Sequence, residues 1–438
     1  MPTALTIAGS DSVGGAGLQA DLKAFEALGV HGCSVVTCVT SQNTKRVSSI
    51  YPIPPDQVLS QLDSVLEDVD IDAVKTGMLY DPEVVLTVSS RLKKVSAPIV
   101  VDPVLAATTG GSLRKRGLEE ALIKKLIPEA TLVTPNLFEA SRLSGTNVRD
   151  ERSARRAALK ILQMGAKWVL IKGGHMKGSE AADYLFTEDE MSKMATPRAF
   201  SEVHGTGCAL ASLIAGHLAL GNDVETAVKK SKLMIYKAIV SGETVGRGIP
   251  CANPLAVLRS QAEKISMVER LNTVGKELER ILDSDLIPEV GSNMGFSTVG
   301  ALESSEVAAF DGRIVRIGQE ARLVGCVRFG ASKHVARIVL AAGCHDPRIR
   351  CALNIKYSDN NLESCRRARL AVSGFDRARE PKGVSSMTWG VHKAIQRYGR
   401  VPDVIFDRGG VGKEPMIRIL GEGPEEVLAK LKRIKSKR

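Results

Sequence analysis

The run His-Gly-Thr-Gly-Cys-Ala-Leu at 204–210 places a thiol beside a site suited to an anion. Gly205 and Gly207 flank Thr206 just ahead of an apolar stretch, 209–219, whose pattern predicts a helix. The first amides of a helix have no carbonyl one turn earlier and lie at the positive end of its dipole. Such a turn holds an anion, most often a phosphate. Cys208 falls at the first turn, where a thiol is expected below its ordinary value of about 8.5. A thiol there can accept a proton from an attacking hydroxyl. Gly-x-Gly is a weak motif, and taken alone it reads better as a tight bend around a small buried cysteine.

Four more segments carry candidate chemistry. Residues 7–21 (IAGSDSVGGAGLQAD) run from a strand through Gly14, Gly15 and Gly17 into a helix. They fit neither the GxGxxG fingerprint nor a P-loop, and imply either close backbone approach to a substrate or helix–strand packing. In TPNLFEA (134–140), Asn136 and Glu139 could orient waters on Mg2+ or form a helix N-cap with Glu at its third position. Asp102 ends a strand ahead of a Gly-rich loop in VVDPVLAATTGG (100–111). Lys172 ends a strand in IKGGH (171–175), well placed for a phosphate.

The elements that must position these residues alternate in period. Short β-rich runs occur at 5–8, 34–39, 73–76, 98–101, 132–134 and 168–171. Helical patterns fill 18–28, 55–66, 82–94, 119–126, 152–164, 209–219 and 224–240. This alternation predicts βαβ units, a mainly parallel sheet with helices on both faces, and ligands at the carboxyl ends of the strands.

A Gly- and Pro-containing loop run follows at 242–254, then a helical pattern over 257–282. The domain boundary is placed near 262, dividing 1–262 from a second, smaller α/β domain at 263–438. There strands are expected at 326–329, 351–355, 370–373, 404–406 and 416–420, and helices at 333–342, 362–369, 389–398 and 425–434. The segment 291–300 is Gly- and Ser-rich. Two predicted strands end in Phe-Asp-Arg, at 375–377 and 406–408. Arg313 lies in a short β-like run, and His334 where a strand joins a helix, a possible anion site. Asp407 opens a Gly loop reaching Lys413 that reads as a phosphate grip or a plain hairpin. Read singly, each of these features is better explained as ordinary structure.

Composition sets the outer bounds. The chain has 438 residues, 44% apolar and 25% charged, which excludes a disordered or fibrous protein. Aromatics are only 4%, so the cores must rest on Ala, Val, Leu and Ile. No apolar run approaches a membrane span and no secretory signal is visible, which predicts a cytoplasmic protein without membrane partners. Eight cysteines without a CxxC pair read as scattered buried thiols. Residues 261–438 hold 31 Lys and Arg against 22 Asp and Glu, while 1–260 hold 29 against 27. A basic second domain fits phosphorylated small molecules as well as nucleic acid.

Five such strand ends in this order amount to more than each alone. IAGSDSVGGAGLQADLKAF, VTSQNT, KTGMLY, DPVLAATTGG, TPNLFEA, KGGH and HGTGCAL make residues 1–260 resemble the hydroxymethylpyrimidine and phosphomethylpyrimidine kinases of thiamine biosynthesis, in the ribokinase-like superfamily. The resemblance implies that Cys208 is the base for the substrate hydroxyl and that Gly205, Thr206 and Gly207 form the anion hole. It implies that Gln42, Ala16 and Met78 hold the pyrimidine ring. Asn136 and Glu139 would support Mg2+, with Asp102 and Lys172 around the phosphates of ATP. A Gln amide can pair with a ring nitrogen and an exocyclic amine together, which suits an aminopyrimidine.

Residues 263–435 are similar to ThiN-type thiamine phosphate synthases, through VGSNMGFS, DGRI, FGASKHVARIVLAA, CALNIKYS, FDR and FDRGGVGKEPMIRILG. By resemblance Arg313 and His334 are the catalytic candidates. The implied substrates are hydroxymethylpyrimidine and its phosphates, ATP and hydroxyethylthiazole phosphate, acted on by a homo-oligomer. An alternative keeps the kinase and makes the second domain a ligand sensor. Another, a different small-molecule kinase with a nucleic-acid-binding tail, is opposed by the Gly-Thr-Gly-Cys turn, Gln42, the sparse aromatics and the lack of an RNA-binding motif.

Overall fold

The computed structural model describes residues 1–106, 114–174, 176, 178–199, 202–381 and 386–438. They form two compact units, Met1–Leu258 and Arg259–Arg438.

Among the described residues, the first unit has one sheet of nine strands. They are β1 (Thr3–Asp11), β2 (His31–Gln42), β3 (Val47–Pro52), β4 (Ala73–Thr76), β5 (Ile99–Val101), β6 (Leu132–Val133), β7 (Trp168–Lys172), β8 (Glu180–Phe186) and β9 (Met191–Pro197). The order is β3-β2-β1-β4-β5-β6-β7-β8-β9. Pairing is parallel from β2 through β7 and antiparallel for β3, β8 and β9. The six parallel strands are the six that the sequence predicts. The outer strands β3 and β9 are half-exposed and mix polar with apolar residues, so they lack the continuous apolar run that marks a buried strand.

Alternate strand residues feed two cores, one on each sheet face. Leu5, Ile7, Val74, Val101, Val133 and Ile171 pack with Val58, Leu62, Val84 and Ile161 of helices Pro55–Leu66, Pro82–Leu92 and Glu151–Leu162. Ala4, Ala73, Val100, Leu132 and Leu170 pack with Phe25, Leu213, Ile214 and Ile235 of helices Gly17–Glu26, Thr206–Ala219 and Val224–Val240. Thr206–Ala219 is buried throughout from Ala209 onward, as expected of a helix apolar on every side. It starts three residues earlier than the apolar pattern suggests, so Gly207 and Cys208 lie inside it. The pattern at 119–126 resolves into one α turn, Leu118–Ala121, followed by a π turn, Leu122–Leu126.

The second unit has β10 (Met294–Ser297), β11 (Val307–Phe310), β12 (Ile314–Ile317), β13 (Glu320–Leu323), β14 (Val327–Phe329), β15 (Cys351–Lys356), β16 (Val372–Gly374), β17 (Val404–Asp407) and β18 (Met416–Gly421). Seven form a sheet in the order β14-β11-β10-β15-β18-β17-β16, and β12 pairs with β13 alone. One face packs on helix Pro424–Lys435 and on Met267, Leu271, Val274 and Leu278 of the helix Ala256–Ile281. The other packs on helices Lys333–Gly343 and Ser386–Tyr398. The Gly- and Ser-rich segment 291–300 contains the fully buried strand β10. Arg313 stands just before β12 rather than in it, in the left-handed region at φ 68°. All eight cysteines are free, and Cys326 is exposed rather than buried. Among the described residues no helix is long and apolar enough to cross a membrane.

Candidate active sites

The strand order of the first unit reverses at β1, which has β2 on one side and β4 on the other. Ligand crevices form at the carboxyl ends of strands beside such a reversal. The candidate residues sit at those ends. The carboxylate of Asp11, last in β1, accepts the amides of Val13 and Gly15 at 3.0 Å and of Ala16 at 2.8 Å. These bonds wind residues 12–16 into the start of the helix Gly17–Glu26. Met78, just past β4, is buried with Cys38. Gln42 ends β2, and its Nε2 lies 2.8 Å from His204 Nε2. His204 is itself buried, 3.5 Å from Asp11, and its Nδ1 has no partner among the described residues.

On the other side of the anion turn, Lys172 Nζ donates to Asp102 Oδ1 at 2.7 Å, and Thr134 Oγ1 donates to the same oxygen at 3.2 Å. A Cβ placed on Gly207 would lie 3.2 Å from Lys172 Nζ and 4.0 Å from Asp102 Oδ2. A side chain at 207 would therefore crowd the Lys172 ammonium. Burial works against the Lys172 charge, but Asp102 and Glu139 outweigh it and hold the ammonium above the ordinary lysine range.

Asn136 and Glu139 form a reciprocal capping box on the helix Leu137–Ser144. Asn136 Oδ1 accepts the Glu139 amide at 2.9 Å, and Glu139 Oε2 accepts the Asn136 amide at 2.8 Å. Burial, with a further push from Asp102 against the pull of Lys172, raises the Glu139 carboxyl to about 7. A carboxyl so disfavoured as an anion suits a cation neighbour. Among the described residues no three His, Cys, Asp or Glu converge as a ready metal cage. His175 of the KGGH run and residues 107–111 after Asp102 lie outside the described residues.

The thiol of Cys208 departs from expectation. Burial pushes it up to about 11, with Asp102 and Asp21 adding to the rise and Lys75 opposing it. The helix terminus does not offset the loss of water. Lys75 and Asp21 lie in the runs KTGMLY and IAGSDSVGGAGLQAD, but the sequence reading gives them no role. Lys75, in β4, is fully buried and pairs with Asp21 at 2.8 Å. Asp21 also accepts from Thr6 Oγ1 at 2.6 Å and from Ser212 Oγ at 2.7 Å. Ser212 lies one turn beyond Cys208, so the ion pair braces the same helix face that carries the thiol. A lysine inside an otherwise buried strand was the available signal; its partner lies 54 residues away.

The second unit contains a cavity of about 510 Å3, a size suited to a small ligand. Arg313, His334, Arg377, Asn293, Asn354 and Lys413 are among its lining residues. The structure thus brings together the two residues that the resemblance singles out. Arg313 Nη1 donates to the Val290 carbonyl. His334 opens the helix Lys333–Gly343, capped by Ser332. Enclosure, then the guanidiniums of Arg418, Arg377 and Arg313, hold its imidazole below the ordinary histidine range. It is neutral near pH 7 and can donate one hydrogen bond. The loop after Asp407 closes as a bridged turn, Gly410 to Lys413, and its Gly412 and Lys413 also reach the cavity.

Comparison with known proteins adds a second line of observation. Residues 11–253 match the family model for phosphomethylpyrimidine kinase, and residues 270–433 match that for thiamine-phosphate synthase ThiN. The bifunctional thiamine biosynthesis protein ThiDN of Methanocaldococcus jannaschii is 35% identical over 98% of this chain and 97% of its own. The crystal structure of phosphomethylpyrimidine kinase (thiD) from Clostridium difficile is 42% identical, covers 55% of this chain and all of its own, and superposes with a TM-score of 0.50. A pyridoxal kinase from Staphylococcus aureus, in complex with AMP-PCP and pyridoxal, is 33% identical over 59% of this chain and 95% of its own, with a TM-score of 0.55.

Proposed function

Since the chain belongs to the phosphomethylpyrimidine kinase family and, across nearly its whole length, to the family of the bifunctional ThiDN proteins, we propose that it is a two-step enzyme of thiamine biosynthesis. The first unit phosphorylates hydroxymethylpyrimidine and then its monophosphate with ATP. The second couples the resulting diphosphate to hydroxyethylthiazole phosphate, giving thiamine phosphate and inorganic diphosphate. We read the boundary near residue 262, within the helix Ala256–Ile281 and a few residues past the division between the two compact units at Leu258. We read the protein as a cytoplasmic homo-oligomer acting on small molecules, with neither nucleic acid nor membrane as partner.

The observation that carries the reading is the placement of Cys208 in the first turn of its helix, with Lys172 and Asp102 facing that turn. Phosphoryl transfer needs positioning and charge stabilisation more than covalent chemistry. Amides of Gly205, Thr206 and Gly207 stabilise the transferring phosphoryl group, and Lys172 neutralises phosphate oxygens nearby. The Cys208 thiolate takes the proton of the substrate hydroxyl as its oxygen attacks phosphorus and ADP leaves. Gln42, Ala16 and Met78 hold the pyrimidine ring beside β1. Glu139, oriented by Asn136, is the residue to support Mg2+, which when bound offsets the phosphate charge. In the second unit the bond from the pyrimidine methylene carbon to diphosphate breaks as the thiazole nitrogen bonds to that carbon. Arg313 stabilises the leaving diphosphate through charge-assisted hydrogen bonds, and neutral His334 donates to the same group.

One incubation tests the whole. The purified chain is given hydroxymethylpyrimidine, excess ATP, Mg2+ and hydroxyethylthiazole phosphate, and the products are separated by chromatography. Thiamine phosphate is the expected product. Accumulation of hydroxymethylpyrimidine diphosphate alone would make the second unit a sensor, and formation of neither would overturn the kinase assignment.

A further inference from the structure

The two Phe-Asp-Arg runs end neighbouring strands. β16 and β17 pair in parallel with Gly374 opposite Phe406, and the Phe375 amide donates to the Phe406 carbonyl at 3.1 Å. That register puts Phe375 opposite Asp407, and Arg377, two residues further on in the 3-10 turn Arg377–Arg379, reaches back to that aspartate. Arg377 Nε and Nη2 donate to Asp407 Oδ1 and Oδ2 at 2.6 and 3.1 Å. Arg418, from β18, donates to Asp407 Oδ2 at 2.7 Å, and the Gly409 amide donates to Oδ1 at 2.8 Å.

The side chains of Asp407 and Arg418 are fully buried, and that of Arg377 is 8% exposed. Two guanidiniums therefore share one carboxylate, and the buried cluster keeps an excess positive charge. Arg418 Nε has no partner among the described residues. A buried excess charge is unfavourable until an opposite charge joins it. The cluster meets the cavity through Arg377, which lines it together with Arg313 and His334. The fork pairing with Asp407 occupies Nε and Nη2 and fixes the guanidinium plane, so Nη1 is the amino group left for the cavity.

Arg313, Arg337 and Arg377 all line the cavity, and more than one guanidinium there suits a ligand with two linked anionic groups better than a monophosphate, which a single fork satisfies. We propose that Arg377, its guanidinium held in place by the fork on Asp407, binds the diphosphate of the pyrimidine substrate alongside Arg313, and that Asp407, backed by Arg418, is its positioning residue. This rests on the synthase reading given above.

The test is product inhibition of the synthase step in the full chain. Hydroxymethylpyrimidine diphosphate and hydroxyethylthiazole phosphate are supplied directly, and inorganic diphosphate is the inhibitor. Arg377→Ala and Arg377→Lys should each raise the inhibition constant of diphosphate at least tenfold. The KM for hydroxyethylthiazole phosphate should stay within twofold, and so should kinase turnover. Asp407→Asn, which keeps the shape but drops the charge, should weaken diphosphate in the same direction but less. An unchanged inhibition constant in Arg377→Ala overturns the proposal, as does a rise confined to the KM for hydroxyethylthiazole phosphate. Near-ultraviolet circular dichroism checks that each variant is folded, and Arg377→Lys carries the test if Asp407→Asn is not. Should the wild-type chain form no thiamine phosphate, the synthase reading fails separately. Calorimetric titration with inorganic diphosphate, the kinase site being saturated with AMP-PCP, then decides. Binding that Arg377→Ala removes upholds the anion site, and no binding to the wild type overturns it.

Discussion

Gly205 and Gly15 lock two loops of the first unit together. A Cβ built on Gly205 would lie 1.7 Å from the Gly15 carbonyl oxygen, and Gly205 has φ 84°. The loop that leads from β1 and the turn that opens the anion hole therefore meet backbone against backbone. Any side chain at 205 must push them apart.

Gly205→Ala should accordingly disable the kinase through position rather than chemistry. A left-handed alanine costs about 1–2 kcal/mol, and the clash with backbone adds to it. Kinase turnover should fall by about a hundredfold or more, with a lowered thermal transition. Turnover within threefold of the wild type would refute the locked arrangement.

The raised thiol of Cys208 sets a pH dependence. Burial disfavours the thiolate, whose fraction climbs about tenfold per pH unit until pH nears 11. If Cys208 is the base, kcat/KM for hydroxymethylpyrimidine should rise between pH 7 and 9 with a logarithmic slope near one. Cys208→Ser should lower the rate by about 10² or more and abolish that slope. A flat wild-type profile would assign proton removal elsewhere.

The pair Lys75–Asp21 should behave as a buried unit. Lys75→Met leaves the Asp21 charge buried without its counter-ion, at a cost of about 3–5 kcal/mol in urea unfolding of the first unit. The double variant Lys75→Met, Asp21→Asn should recover much of that loss. Equal destabilisation of single and double variants would show that packing, not charge, dominates.

Gln42 Nε2 lies 2.8 Å from Nε2 of the buried His204 imidazole, and Thr40 Oγ1 donates to Gln42 Oε1 at 3.4 Å, so the amide is held from both ends. His204→Leu removes the first of these constraints. Preference for hydroxymethylpyrimidine over pyridoxal, measured as a ratio of kcat/KM, should drop about five- to tenfold, the worth of one neutral hydrogen bond. An unchanged ratio would mean that the ring is recognised without the amide.

In the second unit, Arg313→Ala should reduce synthase turnover by about 10²–10³ and leave kinase turnover within twofold. Parallel assays of the two half-reactions decide it. Retained synthase activity would remove Arg313 from the chemistry.

The sequence by itself determined the parallel centre of the first sheet and the turn at 205–208. Both signals are local: a strand buried on two faces must be an apolar run, and an anion turn is written in consecutive residues. The same holds for helices Pro55–Leu66 and Val224–Val240, whose limits are those read from periodicity alone. Edge strands β3 and β9 were not legible, because half-exposed positions accept polar residues. Tertiary structure alone decided the acidity of Cys208, since burial outweighs the helix terminus there. It alone paired Lys75 with Asp21, and Arg377, in the turn beyond β16, with Asp407 at the end of β17. Charges far apart in the chain become partners only when strands are laid side by side, and their strength depends on how much water that packing excludes.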